Sequence, residues 1–382
     1  MVMLQKAASM YAPLQDSQTQ ALPAKQNRVM IVDDSAVIRG LVSRWIEEEP
    51  GLEVVARHAN GKLAVDDVER SAPDIVLLDI EMPVMDGLEA LPLLLGARPE
   101  LRVLMVSTLT RRNAEISFKA LALGALDYVP KPDTNREITT SLDFRREVIR
   151  KIKSLGKVRL LGRAADDGQV GDAEPSARMA FRQRSFSLVP PRIIAIGSST
   201  GGPEALASVL GVASPALSRV PVVIAQHMPP VFTGILAERL ARATGRETKE
   251  GTEGERLSPG TIYVAPGNHH MTVVDANRPA LRIGDEPPVH FCRPAVDPLF
   301  SSVAASFGPA ALGIVLTGMG FDGAAGARAI AEAGGSVIAQ DEASSVVWGM
   351  PGAAASVGAC AAMLPPVQIA EAVAKLIKGE RP

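Results

Sequence analysis

Cysteine is nearly missing: the 382 residues hold two, Cys292 and Cys360. Two are too few for a disulfide framework, and neither sits in a Cys-x-x-Cys pair. Long apolar runs are missing too, since none approaches the ~20 residues of a membrane span. Nor does either sign of charge dominate: 40 Lys+Arg against 42 Asp+Glu leave a net charge of -2. No overall positive field would gather phosphate, which argues against a nucleic-acid partner. The dinucleotide fingerprint G-x-G-x-x-G is absent as well. These absences point to a cytoplasmic protein without membrane insertion. Residues 1–27 carry Gln, Ser and Pro but no signal-like apolar block, and read as a disordered tail. What is present is a globular balance, 47% hydrophobic and 21% charged. At roughly 150 residues per domain the length suits two or three domains.

Apolar runs at 28–32, 52–59, 74–79, 102–108 and 126–131 alternate with helix-patterned stretches. That alternation predicts a parallel sheet covered on both faces. Pro92 falls inside the third helical stretch, which should start late or kink there. Residues 143–161 read as a basic, solvated last helix, and 162–191 change to Ala, Asp, Gly, Ser, Gln and Arg, as a flexible linker does. A second α/β unit begins at Arg192, with strands expected at 193–196, 220–225, 311–316 and 337–340. The division is therefore tail 1–27, first domain 28–153, linker 154–191 and second domain 192–382.

In the first domain, Asp33 and Asp34 close strand one and Asp79 closes strand three. Strand order 2-1-3-4-5 would place these ends side by side at the switch point of a doubly wound sheet. Three converging carboxylates repel unless a cation neutralises them, and such oxygen donors suit magnesium. Ser107 and Lys131 add a hydroxyl and a cation on the same rim, completing a place to hold a phosphoryl group. With Val32-Asp33-Asp34-Ser35, Leu78-Asp79-Ile80-Glu81-Met82-Pro83, Met85-Asp86-Gly87, Ser107, Tyr128 and Lys131-Pro132, the stretch resembles a response-regulator receiver. The resemblance implies that Asp79 accepts a phosphoryl group and that Asp33 and Asp34 help hold Mg2+. It also implies that Ser107 and Tyr128 shift on phosphorylation.

In the second domain, Gly197-Ser198-Ser199-Thr200-Gly201 fits G-x-S-x-G between a strand and a helix. His227 directly follows the 220–225 strand, and Asp322 follows the strand ending at Leu316. Three strands of one parallel sheet would thus bring Ser199, His227 and Asp322 to one edge as nucleophile, base and orienting acid. Backbone N–H groups of Thr200 and Met319 are the expected oxyanion donors. The rivals read more blandly. His269-His270 is a surface turn pair, His290 lines the pocket, Cys292 is a small buried residue, and Asp297 follows no clear strand.

The motifs Ala195–Gly202, Gln226-His227-Met228-Pro229-Pro230, Tyr263-Val264-Ala265-Pro266-Gly267, Arg293-Pro294-Ala295-Val296-Asp297 and Leu316–Gly323 resemble the catalytic domain of chemotaxis protein-glutamate methylesterases. That family's catalytic serine, histidine and aspartate fall on Ser199, His227 and Asp322. The resemblance implies a phosphorylation-activated hydrolase that demethylates glutamate methyl esters and deamidates glutamines on chemoreceptors. It also implies a chemotaxis histidine kinase as phosphodonor and no cofactor for hydrolysis. The alternatives are a transcription regulator, which would need a recognition helix in the second half, and a noncatalytic receptor-binding adaptor. An unperturbed His227, titrating near ~6.5, would make the rate climb from acid to neutral pH.

Overall fold

The structure, a computed structural model, describes residues 26–132, 141–163 and 184–382, without the side chains of 157–163. Most of the expected tail and of the flexible linker falls outside the described residues.

The first unit runs β1 (Asn27–Val32), α1 (Ala36–Glu47), β2 (Leu52–His58), α2 (Gly61–Ser71), β3 (Ile75–Asp79), α3 (Gly87–Ala97), β4 (Arg102–Thr108), α4 (Arg111–Ala122), β5 (Asp127–Lys131) and α5 (Leu142–Arg163). Its five strands form a parallel sheet in the order β2-β1-β3-β4-β5. β3 is buried at every position, as a strand covered on both faces must be. Pro92 does not delay α3. Asp86 accepts from the Glu89 N–H and the Glu89 carboxylate reaches back to the Asp86 N–H, a capping box that sets the helix start upstream of the proline.

Two readings change at α5. The helix runs to Arg163, past the boundary drawn at 153, and it is not wholly solvated. Phe144, Val148, Ile149, Ile152 and Leu155 fall on one stripe and fill the receiver core beside Trp45. Lys151 is buried, its ammonium 2.8 Å from Asp127 and donating to the Tyr128 carbonyl at 2.6 Å. Sequence pattern alone does not distinguish a cation that snorkels from one that a buried acid claims.

The second unit comprises β6 (Ile193–Ser198), α6 (Gly202–Leu217), β7 (Val222–Gln226), α7 (Phe232–Thr244), β8 (Thr248–Glu250), β9 (Ile262–Val264), β10 (His270–Val274), β11 (Ala280–Gly284), α8 (Val296–Phe307), β12 (Ala311–Val315), α9 (Ala324–Glu332), β13 (Ser336–Gln340), α10 (Met350–Ser356), β14 (Ala362–Leu364) and α11 (Pro366–Lys378). Seven strands pair in parallel in the order β14-β13-β12-β6-β7-β9-β8, and β10 and β11 form a separate antiparallel hairpin. Central β6 therefore lies between β7 and β12, so the loops after these three strands share one rim. Residues 184–191, assigned to the linker, lie against this unit. Arg184 donates to Cys360 O at 3.1 Å, and Ser187 donates to Pro309 O at 2.8 Å.

The two units also pack on each other. The Tyr128 ring stacks on Phe232 at 4.3 Å and 9°. Arg111 pairs with Glu238 at 2.7 Å, and Arg239 donates to Phe118 O at 3.2 Å.

Candidate active site

Ser199 leaves β6 at a turn that the neighbouring strands hold rigid. Its N–H donates to Thr317 O at 3.1 Å, and its carbonyl accepts from Gly202 N at 2.8 Å. The Gln226 side chain ties the turn from the β7 side, accepting from Ser198 Oγ at 2.6 Å and donating to Ser199 O at 2.9 Å. Gln226 directly precedes His227 in sequence, with no local signal of this bracing part. Gly201, at φ 74°, takes the left-handed conformation that lets α6 begin immediately. Gly318 is required for a different reason: a Cβ there would lie 2.9 Å from the Ser199 Cβ.

His227 follows β7, its N–H held by Ser198 O at 3.1 Å. Its Nε2 lies 2.7 Å from Asp322 Oδ2. Asp322 is buried and oversupplied with donors, because Val296 N, Asp297 N and Gly323 N reach it at 2.7, 2.9 and 2.9 Å. Burial opposes its ionisation, but these bonds and His227 outweigh burial and lower its pKa. Asp297, the rival acid, points elsewhere: it accepts from Gly326 N at 2.7 Å and lies 3.0 Å from His290 Nε2. A cation among His290, Asp297 and Asp322 would have to displace the donors already on Asp322.

Several rivals need correction. Cys292 is only half-buried and has a partner, its sulfur 3.5 Å from His227 Nδ1. That contact joins residues 65 apart, which sequence adjacency does not reveal. Burial works against the imidazolium of His227, yet the Cys292 sulfur and Asp322 carboxylate outweigh it and lift the pKa from 6.5 to about 10. The ordinary value expected from the sequence therefore does not hold. His290 is exposed and packs edge-on against Phe321. Of the His269–His270 pair only His269 is at the surface. His270 is buried, with its Nδ1 accepting from Ala295 N at 3.2 Å.

The residues assigned to the oxyanion also touch the first unit. Thr200 Oγ1 donates to Asp127 Oδ2 at 2.6 Å, a bond fully buried between the units. The Met319 side chain packs into the receiver core and contacts Ser154 Oγ. Neither contact was legible in the sequence.

At the other rim, Asp33, Asp34 and Asp79 present carboxylate oxygens within 4.8 Å of one another. Lys131 Nζ bridges Asp33 at 2.6 Å and Asp79 at 2.8 Å. Burial, and then the Asp33 charge, raise Asp79 to about 6 against the pull of Lys131. A pocket of hard oxygen donors still short of positive charge fits a magnesium ion. Ser107 is buried, its hydroxyl 3.4 Å from Asn113 O, and Tyr128 is buried against Phe232.

Family models for the response regulator receiver domain and the CheB methylesterase match residues 29–143 and 194–373. The protein-glutamate methylesterase/protein-glutamine glutaminase of group 2 operon from Rhodopseudomonas palustris (strain ATCC BAA-98 / CGA009) is 53% identical over 376 residues, covering 93% of this chain and 95% of that protein. The protein-glutamate methylesterase/protein-glutamine glutaminase of Nitrobacter hamburgensis is 52% identical over 360 residues, covering 92% and 94%.

Proposed function

This chain belongs to the protein-glutamate methylesterase/protein-glutamine glutaminase family, and from that premise we propose how its two rims carry out and control hydrolysis. It is a carboxylic ester hydrolase and deamidase of chemotaxis with a receiver in front. The substrates are glutamyl methyl esters and specific glutamines on chemoreceptor signalling helices. The observation that carries the residue assignment is the His227–Asp322 pair, 2.7 Å apart, one strand-end away from the glycine-flanked Ser199 turn.

Ser199 Oγ attacks the side-chain carbonyl while His227 takes its proton. Asp322 holds Nε2, so the proton must go to Nδ1. The N–H groups of Thr200 and Met319 are assigned to stabilise the developing oxyanion. His227 then returns the proton to methanol, or to ammonia from a glutamine, and activates water to release the glutamate. No step needs a cofactor.

In the receiver, Asp33, Asp34 and Asp79 would hold Mg2+, which supplies charge neutralisation for the incoming phosphoryl group. Asp79 is the acceptor, Lys131 its counter-charge, and Ser107 and Tyr128 the groups that respond. A chemotaxis histidine kinase is the phosphodonor. Phosphorylation relieves a restraint, a reading supported by receiver contacts on Thr200, Met319 and Phe232. A transcription regulator is not favoured, because the second half is a seven-stranded α/β unit rather than a helical DNA reader.

The test is methanol release from a methylated receptor fragment. Ser199→Ala should lower the rate at least about ten-thousandfold in a folded protein. Retention of more than about a tenth would overturn the nucleophile and favour the adaptor alternative.

A further inference from the structure

The hydrolytic assignment leaves Cys292 unused, although its surroundings are those of an activated thiol. Its sulfur lies 3.5 Å from His227 Nδ1, and the opposite ring nitrogen is 2.7 Å from Asp322 Oδ2. Thiol, imidazole and carboxylate in that sequence reproduce the relation of nucleophile, base and orienting acid that activates cysteine. A tight reversal presents the sulfur: Val289 and Cys292 exchange backbone hydrogen bonds of 3.1 and 2.9 Å. Between them His290 and Phe291 sit at φ 52° and 63°, the pairing such a two-residue turn demands. Phe291 is 84% exposed, so the turn stands in solvent with the sulfur half-buried beneath it. Of the other charged groups here, His290 pairs with Asp297 at 3.0 Å, Arg293 donates to the Asp285 and Glu286 carbonyls at 2.9 and 3.2 Å, and the Arg146 guanidinium lies 5.0 Å over the Phe291 ring.

We propose that Cys292, activated by His227 and Asp322, is a thiol–disulfide exchange site for low-molecular-weight disulfides, and that capping it switches the hydrolase off. The Cys292 thiolate attacks one sulfur of the disulfide. A new S–S bond forms as the old one breaks, and the leaving thiolate takes the proton held by His227. One disulfide becomes one mixed disulfide and one thiol, with no net oxidation. The consequence for hydrolysis follows from the ring. Asp322 occupies Nε2, so Ser199 can pass its proton only to Nδ1, the nitrogen that the sulfur faces. A group on that sulfur closes the approach. This consequence rests on the hydrolytic reading, whereas the thiol chemistry does not.

The second cysteine provides a control within the same chain. Cys360 is fully buried, and burial pushes its thiol up to about 12.

The probe is 5,5′-dithiobis(2-nitrobenzoate) added at pH 6 to the folded full-length chain, with no ester present. One thiol per chain should react, at least about tenfold faster than glutathione, and Cys292→Ser should abolish that fast phase. His227→Gln should slow it to within about twofold of glutathione. Should that variant not fold, wild-type alkylation by iodoacetamide decides the point, since an activated thiol stays reactive well below the ordinary ~8.5. Capped wild-type chain should then lose methanol release by at least about tenfold and regain it with dithiothreitol. Cys292→Ser, measured against its own untreated rate, should be indifferent to the reagent. A Cys292 no faster than glutathione, or a profile centred on the ordinary thiol value, would overturn the site. A capped chain that keeps its rate would overturn the switch. Thiol rates are read without ester, so a failure of the hydrolytic reading is told apart from both.

Discussion

Asp79 closes β3 and Asp322 lies in the loop after β12; both are buried acids, yet their ionisation is displaced in opposite directions. Asp79 is pushed up to about 6, chiefly by burial and then by Asp33. Asp322 is held below its ordinary value although burial opposes ionisation there too. The difference lies in the donors. Three backbone N–H groups and an imidazole saturate Asp322. Asp79 receives one N–H, from Ile80, and shares Lys131 with Asp33. A saturated acid can only orient its partner, whereas an undersupplied one has capacity for a cation and a phosphoryl group. Position in the fold is similar for both; the count of donors separates the roles proposed for them.

The contrast breaks most severely at Asp322. Asn in its place keeps the shape but sets an amide N–H against donors and favours the wrong imidazole tautomer. We expect methanol release to fall about 10³- to 10⁴-fold. A folded Asp322→Asn within about tenfold of wild type would remove Asp322 from the catalytic role.

At the undersupplied acid the same substitution should stabilise the fold. Asp79 has a raised pKa, so its charge is unfavourable in the fold, and stability rises as pH falls from about 6 towards 3.8. Asp79→Asn should therefore raise Tm at pH 7.5 in magnesium-free buffer, read by calorimetry, and abolish the response to a phosphodonor. A lowered Tm, or a surviving response, would contradict the reading of this pocket.

The histidine sharpens the comparison through pH. Its raised value stabilises the imidazolium, so that contribution to stability is complete below 6.5 and is lost as pH rises through about 10. Catalysis needs the neutral ring, so wild-type rate should keep climbing above neutrality. The Cys292 sulfur, 3.5 Å from Nδ1, is one of the groups that raise the ring. Cys292→Ser should move the acid limb of the rate profile down towards ~6.5. An unmoved limb would mean that the sulfur does not reach the ring electrostatically.

The smallest effect belongs to the exposed rim. Arg111–Glu238 is a surface pair across the units, worth about 0–1 kcal/mol. Glu238→Lys should raise unphosphorylated methanol release no more than about fivefold, and high salt should blunt the change. A drop in rate would contradict a receiver that restrains.

The residues proposed for both sites were picked out of the sequence for one reason: each sits at or after the end of an apolar strand run. Val32-Asp33-Asp34, Leu78-Asp79 and Leu316–Asp322 announce themselves by that change of character. Ser199 and His227 follow strands in the same way. Helix α8 was not read, because its stretch lacks a clear cap, and with it went the N–H groups that saturate Asp322. Contacts between distant segments were equally invisible. Nothing local in Thr200, Asp127 or Lys151 indicates a buried chain of hydrogen bond and ion pair between the units. The Cys292–His227 contact depends on a turn made from two non-glycine residues at positive φ, which composition argues against.

The most direct measurement of the central claim is methanol release by the full-length chain from a methylated receptor fragment, before and after adding a small phosphodonor with Mg2+. A restraint of ~1–3 kcal/mol predicts activation of roughly 5- to 150-fold, absent in Asp79→Asn. Methanol release that is equal with and without phosphodonor, in a chain shown to be phosphorylated on Asp79, would contradict it.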